Sequence, residues 1–459
     1  MVFSSAVFLF LFLPITLLFY YNPFFRKRGF RNATLLIFSL LFYAWGEPTF
    51  VLVMLLSIII TWLLGFAMER KRRKVFLVVG VIYYLSLFFV FKYLSFASSQ
   101  IAILFGDDEL MIHIALPIGI SFFTFQLLSY LFDIYYGKCK AQKSLAKVAL
   151  YASLFPQLIA GPIVRYKTIE KQIDDRIDNF DNVVLGMQRF IYGLGKKVLI
   201  ADYLAAVADN SFDVLSQRSV LVAWLGAIAY ILQIYFDFSG YSDMAIGLGR
   251  MFGFSFEENF NYPFIARSVT ELWRRWHISL TSWFRDYVYI PLGGNRVSKA
   301  KWVRNIVIVW LLTGIWHGAN WTFLVWGMIF CVFQLLERKI RIHNNSKIWG
   351  IPYAVFVFLL AFIFFRADSV SAAMSYLGQM IGVGSSGVCD QLFLYYAGGT
   401  WLVLILAIIG ATPLVRNVMR KLREKGLVII ENIWLFVVFA CSLVKIISSS
   451  YTAFIYFNF

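Results

Sequence analysis

Four histidines, His113, His277, His317 and His343, are the side chains of this chain best suited to moving a proton at neutral pH. His113 opens an apolar run and His343 lies in the polar stretch Arg341-Ile342-His343-Asn344-Asn345, so both read as solvated surface groups. His317 stands instead inside Trp310-Leu311-Leu312-Thr313-Gly314-Ile315-Trp316-His317-Gly318-Ala319-Asn320-Trp321. Helical spacing puts Trp310, Thr313, His317 and Trp321 on one face, and Gly314 with Gly318 forms a small-xxx-small pair that invites a close neighbour. An ionisable group in such surroundings is costly unless it faces protein or a water-filled cavity. Two readings stand on the residues alone: a hydrogen-bonded structural histidine, or a base that takes a proton from a hydroxyl, its ring oriented by Thr313 or Asn320.

His277 belongs to Trp273-Arg274-Arg275-Trp276-His277-Ile278-Ser279-Leu280-Thr281-Ser282-Trp283-Phe284-Arg285-Asp286-Tyr287. A continuous helix there would put Arg274, His277, Thr281 and Arg285 on one face and the tryptophans on another, the pattern of a helix lying at a membrane interface. The basic groups Arg274, Arg275 and Arg285 would face water or phosphate there, and with Arg304 they read as cytoplasmic anchors. Asp237, in Tyr235-Phe236-Asp237-Phe238-Ser239-Gly240-Tyr241-Ser242-Asp243, is a candidate carboxylate. The competing expectation is a Gly-Ser turn in which Ser239, Ser242 or Asp243 caps a helix from Met244 to Met251. Arg165 follows a segment broken by Phe155-Pro156-Gln157 and Ala160-Gly161-Pro162, which reads as re-entrant and as lining an internal passage.

The elements that must position these groups are membrane helices. The 459 residues are 60% hydrophobic and 15% charged, against roughly 25% charged in soluble proteins. A net charge of +17 belongs in cytoplasmic loops of such a chain, and no nucleic-acid role is expected. The run Glu69-Arg70-Lys71-Arg72-Arg73-Lys74 is the strongest cytoplasmic marker. The first segment, Val2 to Tyr21, lacks a basic start and a cleavage pattern and is expected to be a retained helix. About eleven or twelve spans follow, with re-entrant and interfacial helices around a central passage, in an all-α polytopic membrane protein. One transmembrane domain over residues 1–459 is expected, its chemistry concentrated in about 235–336. Cys139, Cys331, Cys389 and Cys441 show no metal or disulfide spacing, and no metal site is expected.

There is no G-x-S-x-G, Walker A, H-E-x-x-H or dinucleotide-binding pattern, which weighs against serine, nucleotide, zinc and redox chemistry. Proton transfer or transport remains. The stretches Leu116–Gly137, Leu154–Pro162, Tyr235–Gly249, Trp273–Gly294 and Leu311–Trp321 together resemble the membrane-bound O-acyltransferase family, in particular its bacterial polysaccharide O-acetyltransferases. The resemblance implies a multi-helix enzyme of the bacterial inner membrane, with a cytoplasmic thioester donor, acetyl-CoA, and an acceptor on the outer side. It further implies that His317 is the catalytic histidine, that His277 is the second histidine of the preceding motif, and that an extracytoplasmic partner completes transfer to a polysaccharide such as alginate or peptidoglycan. No resident cofactor is implied. Two alternatives remain: D-alanyl transfer to teichoic acid on the same fold, and a non-enzymatic transporter built from broken helices.

Overall fold

The computed structural model describes residues 1–70, 72–214, 216–340, 349–448 and 454, so the loop around His343 lies outside the described residues. Among them every regular element is a helix. Among the described residues, five helices are long and apolar enough to cross a membrane: Phe50–Arg70, Arg73–Phe105, Val220–Met251, Gln391–Gly410 and Val428–Ser448. Shorter apolar helices cover Phe8–Tyr20, Ile120–Tyr135 and Gly350–Arg366. The chain is a multi-pass membrane protein.

The helix Phe50–Arg70 shows why. Its buried stripe is Met54, Ser57, Ile58, Thr61, Gly65 and Met68, while Leu52, Leu56, Ile59, Leu63 and Phe66 are exposed. The helix's small and polar residues Ser57, Thr61 and Gly65 turn inward together with Met54, Ile58 and Met68, and there the Ser57 hydroxyl meets the Tyr83 hydroxyl at 2.9 Å and Thr61 meets Tyr84. Large apolar residues turn outward. That inversion is stable only where the surroundings are lipid, because helix contacts there depend on close packing and hydrogen bonds.

The chain forms two compact units, residues 1–190 with 242–257, and residues 191–241 with 258–459. In the first, a clasp fixes the basic end. Asp178 accepts from Arg28 at 2.7 Å, Arg31 at 2.6 Å and the Tyr20 hydroxyl at 2.7 Å, while Arg176 Nε donates to the Tyr20 oxygen and the Phe252 carbonyl. The expected interruption after residue 148 is present: the helix Leu145–Ser153 stops at Leu154, a single turn spans Phe155–Leu158, and Val148–Val164 is buried throughout. Its freed polar groups find protein partners, as the Gln157 amide does on the Tyr151 carbonyl at 2.6 Å.

The helix Arg73–Phe105 carries a π turn at Phe89–Tyr93. Gln391–Gly410 is continuous through Gly398 and Gly399. The basic stretch Leu414–Glu424 is itself a helix. The largest correction concerns Asp237 to Asp243, where no turn exists: Val220–Met251 is one helix of 32 residues. In the second unit, a Cβ on Gly240 would lie 2.7 Å from the Gly193 carbonyl. This glycine permits a helix crossing rather than ending a helix.

Candidate functional site

The second unit holds both candidate histidines. His317 is the last residue of the helix Lys299–His317, and Gly318 continues in extended backbone. Trp321 therefore does not share its face, as continuous helical spacing had suggested; it starts the next helix, Trp321–Ile340, and is exposed. The two helices form a hairpin of close approach. A Cβ on Gly314 would stand 2.6 Å from the Phe323 carbonyl, and one on Gly327 would stand 2.7 Å from the Trp310 carbonyl. Gly318 faces the Phe323 ring, so a Cβ there would meet it at 2.1 Å. The small-residue spacing thus acts on the adjoining helix and brings Trp326 against the imidazole.

His317 is buried and walled by rings. Trp326, Trp316 and Phe365 stand edge-on to it, with centroids at 4.8, 4.9 and 5.1 Å. The proposed orienting groups point elsewhere. The Thr313 hydroxyl donates to the Val309 carbonyl at 2.7 Å, and Asn320 donates to the Asp368 carbonyl and accepts from the Thr322 amide. Aromatic walls, rather than either of these two residues, restrict this ring.

His277 is held differently. The expected continuous amphipathic helix is two helices, Val269–Arg275 and Ile278–Phe284, broken where His277 takes a left-handed conformation (φ 42°, ψ 54°). The break carries His277 off the face of Arg274 and Arg285: both arginines are exposed, and His277 is fully buried. A non-glycine residue there costs roughly 1–3 kcal/mol and persists only when its surroundings enforce it. Asn259 does so. Its carbonyl accepts from the Ile278 amide at 2.9 Å, and its side-chain oxygen lies 3.2 Å from His277 Nδ1. The ring also stacks edge-on to Phe238 at 4.7 Å and meets Trp316 at 5.9 Å. One indole, that of Trp316, therefore contacts both imidazoles. Burial pushes the His277 pKa down to about 3, so this ring, outside the spanning helices, is neutral at physiological pH.

A carboxylate that the sequence pattern does not single out supports this arrangement. Glu337, fully buried, accepts from the Val269 amide, the Thr270 amide at 3.0 Å and the Thr270 hydroxyl at 2.7 Å. It thereby satisfies the first amides of the helix leading to His277. Its position beside Arg338 and Lys339 made it look like one more solvated loop charge. Only the carboxylate's spacing along the helix from Trp326 separates it from them.

The remaining candidates divide. Asp237 is buried and bound to Lys197 Nζ at 2.9 Å, with Asp202 on the same ammonium at 2.6 Å, so it is one of two carboxylates on a single lysine. Ser239 and Ser242 cap nothing, lying mid-helix. Arg275 is tied to Glu271 at 2.8 Å and to the Asn261 carbonyl, and Arg285 chelates Asp286. Arg304 is exposed and bonds the Asn305 side chain at 2.9 Å. Arg165 is buried in the first unit, at the start of the helix Tyr166–Asp174. Chemically, the second unit offers two imidazoles packed among aromatic rings, with basic groups on the neighbouring segments.

Comparison with known proteins follows the same lines. Residues 141–375 match the family model of membrane-bound O-acyltransferases. The chain is 43% identical over 403 residues to a probable alginate O-acetylase of Azotobacter vinelandii, covering 85% of this chain and 80% of that protein. A probable alginate O-acetylase of Pseudomonas putida is 38% identical with both chains covered in full. The peptidoglycan O-acetyltransferase of Helicobacter pylori is 32% identical, covering all of this chain and 98% of its own.

Proposed function

Since the chain belongs to the membrane-bound O-acyltransferase family and is a membrane O-acyltransferase, we propose that it transfers acetyl groups from a cytoplasmic thioester, acetyl-CoA, toward a polysaccharide outside a bacterial inner membrane. The observation that carries this reading is His317: a buried imidazole at a helix end, walled by Trp316, Trp326 and Phe365. No serine nucleophile elbow accompanies it, so the imidazole acts as a base rather than as one member of a serine triad.

In the proposed step, His317 takes the proton of an acceptor hydroxyl while the oxygen attacks the thioester carbonyl. The C–O bond forms, the C–S bond breaks, and the thiolate leaves with the proton returned by the imidazolium. The thioester is already activated, so holding the reactants together and moving one proton carries most of the catalysis. His277, which meets the same indole of Trp316, takes part in positioning or proton transfer. Arg274 and Arg304, both exposed, suit the donor's phosphates, with Arg275 and Arg285 beside them. The acceptor is an alginate- or peptidoglycan-like polymer, or an extracytoplasmic protein that passes the group on, as the names of the relatives suggest.

The test is vectorial transfer in proteoliposomes. With labelled acetyl-CoA supplied on the donor face only, label becomes covalently bound to a hydroxyl acceptor on the opposite face. Movement of polymer or ion without acyl transfer would identify a transporter, and transfer of D-alanine in place of acetyl would identify the other branch of the chemistry.

A further inference from the structure

We infer that Asn259 is a positioning residue that fixes His277 in the tautomer carrying its proton on Nδ1, leaving Nε2 as the proton-accepting nitrogen. The inference deepens the acyl-transfer reading above and rests on it for the use to which Nε2 is put. The tautomer itself stands on geometry alone.

The argument runs through one oxygen. The backbone amide of Ser279 donates to Asn259 Oδ1 at 3.2 Å, and a backbone N–H can only donate. The atom is therefore the carbonyl oxygen of the side chain, and the amide orientation of Asn259 is fixed by the main chain. The Ser279 hydroxyl donates to the same oxygen at 2.8 Å, which uses its only proton. His277 Nδ1 lies 3.2 Å from that oxygen and 3.4 Å from the Ser279 oxygen. A bare Nδ1 would set its lone pair against both oxygens in a buried site, a repulsion that water cannot screen there. A protonated Nδ1 instead donates to Asn259. The remaining nitrogen, Nε2, then bears the lone pair in the neutral ring.

The backbone makes the same choice. The Asn259 carbonyl accepts from the Ile278 amide at 2.9 Å, so Asn259 grips residues 277 to 279 from both its main chain and its side chain. That grip falls on the one left-handed residue between the two short helices. Asn259 itself is fully buried, which leaves no water to substitute for it.

Histidine-ring 15N solid-state NMR on the full-length protein in lipid reads the tautomer without using activity, the His277 signals being assigned by their loss in His277→Gln. Wild type shows a neutral His277 protonated on Nδ1. Asn259→Ala moves the population toward the Nε2-protonated form, whereas Asn259→Asp, which keeps an oxygen at the same place, retains the wild-type tautomer. In the acetyl-transfer assay Asn259→Ala lowers kcat by at least about tenfold, and Asn259→Asp restores most of it. KM for the thioester changes by no more than about twofold, which a general loss of fold would not produce. Wild type protonated on Nε2, or an unchanged tautomer in folded Asn259→Ala, overturns the inference. If the tautomers behave as stated but none of the proteins transfers acetyl, the functional reading fails and the role of Asn259 stands.

Discussion

The two histidines both meet the indole of Trp316, at 5.9 and 4.9 Å between centroids, and are held by different contacts. His277 is gripped by hydrogen bonds from Asn259 in a left-handed break between two seven-residue helices. His317 ends a 19-residue helix and is confined by the edges of Trp316, Trp326 and Phe365. The bonds to Asn259 hold His277 at one nitrogen, and the ring edges around His317 restrict where its imidazole lies. The contrast is between a ring held at a named atom and a ring walled by packing.

Replacing the rings one at a time tests that division most strongly. His317→Gln is expected to lower acetyl transfer by about 10²- to 10⁴-fold, the range for a lost general base, with the protein still folded in detergent. His277→Gln is expected to cost less, on the order of tenfold to a hundredfold. Steady-state rates on matched amounts of purified protein give both numbers, and the reverse order would exchange the two roles.

A wedge in the hairpin sharpens the comparison, because it should disturb one histidine and spare the other. Gly314→Leu places side-chain atoms where even a Cβ would meet the Phe323 carbonyl at 2.6 Å. The hairpin must separate, at a cost of roughly 1–3 kcal/mol for overpacking, and Trp326 withdraws from His317. Transfer should fall by about tenfold or more while the NMR signature of His277 is unchanged. A shift at His277 of the same size would show that the two environments are one.

The smallest effect is a dependence on pH. The ordinary histidine value is 6.5, and burial lowers His277 to about 3. The unfolded chain takes up a proton near pH 6.5 that the folded ring refuses until about pH 3, so folding stability is retained above that window and drains as pH falls through it. Thermal unfolding measured at about pH 7.5 and about pH 4.5 should show a smaller acid loss in His277→Gln than in wild type. Equal losses would mean that His277 contributes no such linkage.

Much of the helical scaffold was legible because lipid imposes a simple rule on sequence. Long apolar stretches bounded by basic residues became helices such as Phe50–Arg70 and Val428–Ser448, and the glycine spacing around His317 did mark a close helix approach. The errors came from glycine, serine and aspartate read with the habits of soluble proteins. Asp237-Phe238-Ser239-Gly240 looked like a turn, yet Gly240 clears space for a crossing helix and Asp237 meets a buried lysine. The break at His277 had no Gly or Pro to announce it. Its cause, Asn259, is 18 residues away, and local periodicity carries no trace of such a contact.

The helix Trp321–Ile340 has one further consequence. Near its beginning Trp326 rests on His317, and near its end Glu337 holds the amides of the segment that leads to His277. Eleven residues of helix separate Trp326 from Glu337, about 16 Å of rigid rod. It works as a strut whose length sets the gauge between the surroundings of the two histidines. Adding one residue between its two attachment points would turn one end by about 100° relative to the other, so no register could satisfy both histidines at once.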